Sequence, residues 1–180
     1  RDLRTSRGLG DVYKRQICLM TPEEHIRALN EKPELLKSCG RPAIDTQVEI
    51  RDDDDNPLPI GEVGQICAKG PQIMKGYWNK DKESQKALKG GWMHTGDAGR
   101  MDEEGFVFIQ DRIKDMIVSG GENIYSTEVE AALFAHPDVL DAAVIGIPDE
   151  KYGEVVKACI VKKEGSKINE DDLINFCKDR

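Results

Sequence analysis

The stretch of sequence that decides the fold is Gly91–Glu130, which reads GWMHTGDAGRMDEEGFVFIQDRIKDMIVSGGENIYSTEVE. It contains three segments with residue types that are common in ligand sites. They are a turn aspartate at Asp97, a charged joint at Asp111–Lys114, and a double-glycine loop at Gly120–Gly121. Each segment alone is compatible with ordinary structure. Their order within one short span makes them candidates for a single functional site.

Segments rich in strand-forming residues lie on both sides of the charged joint. Phe106–Ile109 precede it and Met116–Val118 follow it, and both runs favour β-structure. The joint itself is short and charged, so a relative motion of the parts that it connects would be concentrated in a few backbone torsions. The sequence therefore predicts a domain boundary at Asp111–Lys114.

Beyond the double glycine, the sequence predicts a helix, two strands and a second helix. Thr127 with Glu130 fits a capping box for the first helix. Residues 139–147 and 155–161 are rich in strand-forming residues, and Asn169 is followed by acidic residues that suit the first turn of the final helix.

Upstream of the stretch, a helix and a β-hairpin are predicted. Thr21 followed by Pro22 and two acids is typical of a helix start. Gln47–Arg51 and Val63–Ala68 alternate between apolar and polar residues, and the polar run between them requires a turn. Residues 80–89 predict a short polar helix.

Residues 1–16, RDLRTSRGLGDVYKRQ, show neither helical nor strand periodicity. We expect them to be a non-native or disordered leader. They are therefore excluded from the fold prediction.

Composition excludes several functional classes. The 180 residues are 38% hydrophobic and 33% charged, which is typical of a globular protein. The formal net charge of -8 repels a phosphate backbone, so nucleic acid is not an expected partner. A long apolar run and a signal-peptide core are both missing from the sequence, so a cytoplasmic location is expected.

The spacing of cysteine and histidine residues predicts no metal site. The five cysteines are widely scattered without a C-x-x-C pair, and the three histidines lie far apart. The aspartates at Asp52–Asp55 lack the glycine and glutamate of a calcium loop, which favours a solvated turn.

The carboxylate of Asp97 follows a glycine in Thr95-Gly96-Asp97, and it has two chemical interpretations. An acceptor-only carboxylate on a turn can bind both hydroxyls of a vicinal diol such as ribose. Alternatively, the side chain bonds its own backbone, as many turn aspartates do.

The joint supplies two cations. Arg112 has a fixed fork of donors that suits phosphate or ribose oxygens, whereas Lys114 is a mobile point charge. On a strand these two residues would share a face. Surface ion pairs with Asp111 or Asp115 are the structural alternative.

The double-glycine segment Ser119–Asn123 matches neither a dinucleotide fingerprint nor a phosphate loop. Its glycines would allow a backbone to approach a narrow ligand. They also fit a plain β-to-α turn with left-handed torsions.

Taken together, these segments resemble the adenylate-forming superfamily of acyl-CoA synthetases, adenylation domains and luciferases, and most closely its fatty-acyl and related acyl-CoA synthetases. The resemblance extends from about Ile17 to Arg180. The motifs that carry it, in chain order, are Gly40-Arg41-Pro42, Gly61-Glu62-Val63-Gly64-Gln65-Ile66, Gly76-Tyr77-Trp78-Asn79, Gly91-Trp92-Met93-His94-Thr95-Gly96-Asp97, Asp111-Arg112-Ile113-Lys114, Ser119-Gly120-Gly121-Glu122-Asn123 and Glu128.

The resemblance implies a two-step reaction. A carboxylate attacks the α-phosphate of ATP to give an acyl-adenylate and pyrophosphate, and the thiol of coenzyme A (CoA) then displaces AMP. The implied cofactors are ATP, Mg²⁺ and CoA, and the implied substrate is a small carboxylic acid, with a fatty acid expected. Contact with a membrane surface is not indicated.

The resemblance also implies roles for individual residues. Asp97 would hold the ribose hydroxyls, and Arg112 would contact ribose or phosphate. Lys114 would be the hinge about which a C-terminal domain rotates. Gly120 and Gly121 would line the tunnel for the pantetheine arm of CoA.

The implied fold is α+β, with the β-rich end of a large N-terminal domain joined by a hinge to a small mixed α/β domain. Residues 17–111 would be the last, β-barrel-like subdomain of the AMP-binding domain, and residues 112–180 a truncated, mobile C-terminal domain. The phosphate loop and the C-terminal catalytic lysine of the family have no counterpart in the sequence. We therefore expect a fragment that is inactive as a ligase by itself.

Two other functions remain open at this stage. An adenylation domain that loads a carrier protein uses the same first step with a different thiol. A non-catalytic interaction module could keep the fold without the reaction.

Overall fold

A computed structural model describes residues 17–178, in which ten strands and four α-helices form an α+β fold. The predicted leader at residues 1–16 lies outside the described residues. The chain divides between Ile109 and Gln110 into two compact units, and each unit has its own sheet and core. The boundary predicted from the sequence was between residues 111 and 112.

The first unit is mainly β-structure. Its elements in chain order are β1 (Cys18–Leu19), α1 (Pro22–Asn30), β2 (Arg41–Pro42), β3 (Gln47–Arg51), β4 (Gly64–Lys69), α2 (Asp81–Ala87), β5 (Met93–Met101) and β6 (Val107–Arg112), with 3₁₀ turns at Pro33–Lys37 and Lys89–Gly91.

An antiparallel sheet with the order β3-β4-β5-β6 forms the centre of this unit. The predicted hairpin is present as β3 and β4, with Ile50 opposite Ile66. Alternation along these strands buries Ile50, Ile66 and Val107 in one core cluster. Within the described residues β3 and β6 are the outer strands of this sheet.

Helix α1 begins where the sequence predicts. Thr21 accepts a hydrogen bond from the Glu24 amide at 3.2 Å, and the Glu24 carboxylate accepts one from the Thr21 amide at 2.8 Å. This reciprocal pair is a capping box, and Pro22 occupies the first helical position.

The carboxylate of Glu104 connects α1 and its following turn to the loop between β5 and β6. Arg27 donates two hydrogen bonds to it, at 2.6 Å and 3.0 Å, and Lys32 forms a further short ion pair. Arg41 adds a longer contact of 3.6 Å. Three cations therefore surround one carboxylate.

The second unit combines a sheet with two helices. Its elements are a 3₁₀ turn at Ile113–Asp115, β7 (Ile117–Ser119), β8 (Glu122–Ile124), α3 (Ser126–Phe134), β9 (Val139–Asp149), β10 (Gly153–Lys162) and α4 (Glu170–Lys178). The strand order is β8-β7-β10-β9, and all neighbours are antiparallel. Leu133 of α3 and Leu173 of α4 belong to one core cluster with Ile117 and Val144 of the sheet.

The capping box predicted for α3 is wrong. The N-cap is Tyr125, which makes no side-chain capping bond. The Thr127 hydroxyl donates to the Gln110 carbonyl at 2.6 Å, and the Glu130 carboxylate accepts from the Val144 amide at 2.9 Å. Both side chains are thus engaged by other parts of the fold.

The shared face considered for Arg112 and Lys114 would require both residues to lie on one strand, and they do not. Strand β6 ends at Arg112, and Lys114 lies in the 3₁₀ turn. The Met116 amide donates to the Arg112 carbonyl at 3.1 Å, which closes this turn and takes the backbone out of the extended conformation.

The double glycine lies in a β-hairpin rather than in the β-to-α turn considered from the sequence. Gly120 and Gly121 form the two-residue connection between β7 and β8, with φ angles of 60° and 89°. Type I′ hairpin turns require positive φ at both central residues, which favours glycine at both positions. Among residues 17–178, we find no helix with the length and apolar character needed to cross a membrane.

Candidate functional site

Asp97 lies in a β-bulge within β5, rather than in the glycine turn predicted from the sequence. Gln65 of β4 pairs with Ala98, whereas Cys67 pairs with His94. One residue of β4 therefore faces the three residues Thr95–Asp97. Gly96 has a φ of 78°, a left-handed conformation that side chains other than glycine rarely adopt.

Thr95 holds this bulge in one shape. Its buried hydroxyl donates to the Ile66 carbonyl at 2.8 Å and accepts from the Asp97 amide at 3.1 Å. A single side chain thus bonds both the neighbouring strand and the backbone of the bulge. The partly exposed carboxylate of Asp97 is carried by this fixed backbone. An acceptor group on a fixed support is suited to a ligand with two adjacent hydroxyls.

Asp111, the first residue of the joint, caps helix α3 from outside the helix. Its buried carboxylate accepts hydrogen bonds from the Ser126 hydroxyl at 2.7 Å and from the Thr127 amide at 3.2 Å. The other oxygen accepts from the Arg112 amide at 2.7 Å. A negative charge at the first turn is stabilised by the free amides and by the helix dipole. The joint is therefore fixed to α3 at its first residue.

The two cations of the joint remain exposed. The side chain of Lys114 is 69% exposed, and its ammonium lies 3.8 Å from the Asp115 carboxylate. Arg112 is exposed at the end of β6. The ion pair predicted as an alternative for Lys114 is present, but both partners are solvated, so it contributes at most about 1 kcal/mol. Neither cation is buried by its own unit.

The hairpin loop at Gly120–Gly121 presents backbone rather than side chains. The Gly120 amide donates to the Tyr152 carbonyl at 2.8 Å, which fixes the loop to the turn between β9 and β10. A side chain at Gly121 would meet no atom within 4 Å. The loop is therefore exposed, and its backbone is accessible to a ligand.

The structure divides the predicted site residues between its two units. Asp97 belongs to the first unit, and Arg112, Lys114, Gly120 and Gly121 belong to the second. Within the second unit, Arg112 and Lys114 are adjacent through the 3₁₀ turn. A common cleft for all five residues remains a prediction.

Sequence reasoning missed one cluster of candidate ligands. Asp55, Cys67 and His94 each offer one ligand atom, and these atoms lie within 4.8 Å of one another. The three residues are far apart in the sequence, so spacing gave no signal. The register of β4 on β5, which places Cys67 opposite His94, would have revealed two of them.

Comparison with known families gives two matches. Residues 17–78 match the model of the AMP-binding enzyme family, and residues 128–180 match the model of the AMP-binding enzyme C-terminal domain. The two matches occur in the order expected for one enzyme.

Individual proteins with similar sequences are CoA ligases. A long-chain-fatty-acid–CoA ligase of Escherichia coli O6:H1 is 45% identical over 141 residues, which cover 78% of this chain and 25% of that protein. A feruloyl-CoA synthase of an Amycolatopsis species is 44% identical over 147 residues, covering 82% of this chain and 30% of that protein. The chain thus spans about a quarter to a third of the length of these relatives.

A solved structure with the same fold is the amide bond synthetase McbA from Marinactinospora thermotolerans. Its TM-score is 0.80 at 39% sequence identity, and the match covers 95% of this chain and 34% of that one. The similarity therefore includes both the fold and the sequence.

Proposed function

This chain belongs to the family of AMP-binding enzymes, and from that premise we propose that it is part of an ATP-dependent acyl-CoA synthetase. The enzyme activates a carboxylic acid, with a fatty acid as the expected substrate, and transfers the acyl group to CoA. The observation that carries this proposal is the β-bulge that presents the Asp97 carboxylate. The similarity to CoA ligases supports the choice of reaction.

In the first half-reaction, Asp97 accepts hydrogen bonds from the two ribose hydroxyls of ATP. An oxygen of the substrate carboxylate forms a bond to the α-phosphorus, and the bond from that phosphorus to the bridging oxygen of pyrophosphate breaks. Arg112 contacts the ribose or the phosphate, where a guanidinium stabilises negative charge. The products are the acyl-adenylate and pyrophosphate.

In the second half-reaction, the thiol of CoA forms a C–S bond to the acyl carbon. The bond from that carbon to the phosphate oxygen breaks, AMP leaves, and the thiol proton is released. Gly120 and Gly121 line the path of the pantetheine arm, because their exposed loop carries no side chain that would obstruct it. In this proposal the backbone of Gly120 and Gly121 forms part of the wall of the CoA tunnel.

The two half-reactions require different surroundings. The mixed anhydride must be protected from water, whereas the second step must admit a long thiol. Rotation about Lys114 resolves this conflict by exchanging the surface of the C-terminal domain that faces the active site. An exposed cation suits this hinge, because its charge never has to be desolvated in either arrangement.

Mg²⁺ belongs to the proposal as the counter-ion of the ATP phosphates, where it supplies charge neutralisation. The residues proposed here to bind ATP, Asp97 and Arg112, are assigned to its ribose and phosphate groups and not to the metal. The acyl group is assigned only by class.

A second candidate function is acyl transfer to an amine. The structural similarity to an amide bond synthetase, which covers 95% of this chain, supports including this candidate. Both candidates share the adenylation step and differ only in the acceptor.

The test is product analysis with the full-length protein that contains this segment. The enzyme is incubated with ATP, Mg²⁺ and either a long-chain fatty acid or ferulate, and then with CoA or a primary amine. Acyl-CoA detected by mass spectrometry supports the first proposal, and an amide formed without acyl-CoA supports the second. An absence of acid-dependent AMP formation overturns both.

A further inference from the structure

A second site is suggested by three side chains that the adenylation chemistry does not use. Cys67 and His94 face each other on β4 and β5, and Asp55 lies in the turn between β3 and β4. The Cys67 sulfur is 3.5 Å from His94 Nδ1, and His94 Nε2 is 3.5 Å from Asp55 Oδ1. Three consecutive segments of the first unit therefore meet at one point.

The hydrogen bonds of His94 leave one ring nitrogen without a partner. Nδ1 lies 2.7 Å from the side-chain oxygen of Gln65, and an amide oxygen only accepts, so Nδ1 carries the hydrogen. In neutral imidazole the lone pair then lies on Nε2, whereas in imidazolium Nε2 carries a second hydrogen. This atom is fully buried and has no hydrogen-bond partner among the residues that the structure describes.

The lone pair of Nε2 is directed toward a carboxylate, which also only accepts. Two acceptors at 3.5 Å repel each other unless a cation or a proton lies between them. Arg51 donates to the same Asp55 oxygen at 3.2 Å and holds this carboxylate in place.

The ligand types select the class of cation. Imidazole nitrogen, thiolate sulfur and carboxylate oxygen together suit a borderline dication such as Zn²⁺, whereas Mg²⁺ and Ca²⁺ prefer oxygen alone. Gln65 accepts a hydrogen bond from Nδ1, the ring nitrogen that also lies 3.5 Å from the Cys67 sulfur, and a partner on the second nitrogen orients metal-bound histidines. Three protein ligands leave a fourth position for water.

We propose that Asp55, Cys67 and His94 form a binding site for a transition-metal dication of the Zn²⁺ class. The metal ties β4, β5 and the β3–β4 turn together, directly beside the bulge that begins at Thr95. This site is independent of the proposed ligase activity, and it departs from the expectation of no metal that residue spacing gave.

Two nearby side chains limit the affinity of the site for a cation. Lys89 lies 3.7 Å from Asp55, and with Arg51 it places positive charge near the incoming cation.

The test is titration of the 180-residue chain with Co²⁺ under reducing conditions, followed by the near-ultraviolet charge-transfer band of a cobalt thiolate. One equivalent of Co²⁺ is expected to saturate the band. Added Zn²⁺ is expected to displace the Co²⁺ and to remove the band. Cys67→Ser should abolish the band, whereas Cys159→Ser, which removes an exposed cysteine, should retain it. Gln65→Leu should weaken binding by about 10- to 100-fold.

Two results would overturn the site. One is a band that survives in Cys67→Ser. The other is no band in the wild type, with nitrogen NMR showing a proton on His94 Nε2, which would identify a simple Asp55–His94 ion pair. Because Cys67→Ser could impair folding, the wild-type melting temperature is measured with Zn²⁺ and with a chelator. A rise with Zn²⁺ that the chelator reverses supports the site, and an unchanged melting temperature contradicts it.

Discussion

The buried carboxylate of Asp111 accepts a hydrogen bond of 2.7 Å from the hydroxyl of Ser126, at the first turn of α3. This bond joins the proposed hinge to the helix that forms one side of the second core. The hinge thus begins at a residue that is fixed to the body that is proposed to move. Asp111 precedes Lys114 in the chain and Ser126 follows it, so a rotation about Lys114 has to break this hydrogen bond.

Asp111→Ala is expected to destabilise the second unit by about 1–3 kcal/mol, because it leaves the Ser126 hydroxyl and the Thr127 amide without their acceptor. Native-state hydrogen exchange measures the effect, since the opening free energy of amides in α3 and β9 should fall. Amides of β4 serve as the control within the same molecule. Asp115→Ala, at an exposed carboxylate, should change neither group. If the α3 amides of Asp111→Ala were as protected as those of the wild type, the capping role would be contradicted.

Asp97→Ala in the full-length enzyme is expected to weaken nucleotide binding by about 1–3 kcal/mol, because charged hydrogen bonds to the ribose are lost. Calorimetric titration with ATP measures the change. Asp54→Ala is the matched control, since Asp54 is an exposed carboxylate in the β3–β4 turn. Wild-type affinity in the Asp97 variant would refute the ribose assignment.

Lys114→Pro is expected to slow one half-reaction much more than the other. Proline fixes φ at residue 114 and disfavours the helical conformation of Ile113, so it restricts the torsions of the 3₁₀ turn. Single-turnover assays of acyl-adenylate formation and of thioester formation separate the two steps. Lys114→Ala removes the charge but keeps the torsional freedom, and it should show a smaller imbalance. Equal slowing of both steps by proline would count against a hinge.

Low pH is expected to weaken the ion pairs that hold α1 and its following turn to the loop between β5 and β6. The hydrogen bonds from Arg27, followed by those from Lys32, lower the pKa of Glu104 from its ordinary 4.5 to about 2. A lowered pKa stabilises the fold above the unfolded value, and this contribution is lost as the pH falls from about 4.5 toward about 2. Urea denaturation across this range measures the loss.

Glu104→Gln should flatten that pH dependence, because the titrating group is gone. Glu103→Gln, at the exposed neighbouring residue, should retain the wild-type profile. If the Glu104→Gln profile matched that of the wild type, the ion cluster around Glu104 would not be the cause.

The elements that could be predicted from the sequence are those specified by local interactions. Helix α1 begins at its predicted cap because Thr21 and Glu24 bond each other across three residues. The final helix likewise begins after Asn169, whose side chain accepts from the Asp172 amide at 3.0 Å. The β3–β4 hairpin is also predicted by a local signal, the alternation of apolar and polar residues along each strand.

The errors arise where distant residues compete with local signals. Thr127 and Glu130 have the spacing of a capping box, but Asp111 takes the capping role from 15 residues away. Asp97 was predicted as a turn residue because the left-handed Gly96 produces the same pattern in a bulge as in a turn. The cluster of Asp55, Cys67 and His94 depends on strand register, which periodicity alone does not specify.

The proposed function requires formation of an acyl-adenylate, and exchange of labelled pyrophosphate into ATP by the full-length protein tests this step most directly. In the absence of CoA, we expect exchange that requires the carboxylic acid and falls sharply in Asp97→Ala. Exchange that is absent with every acid, or that proceeds equally well without one, would contradict the account.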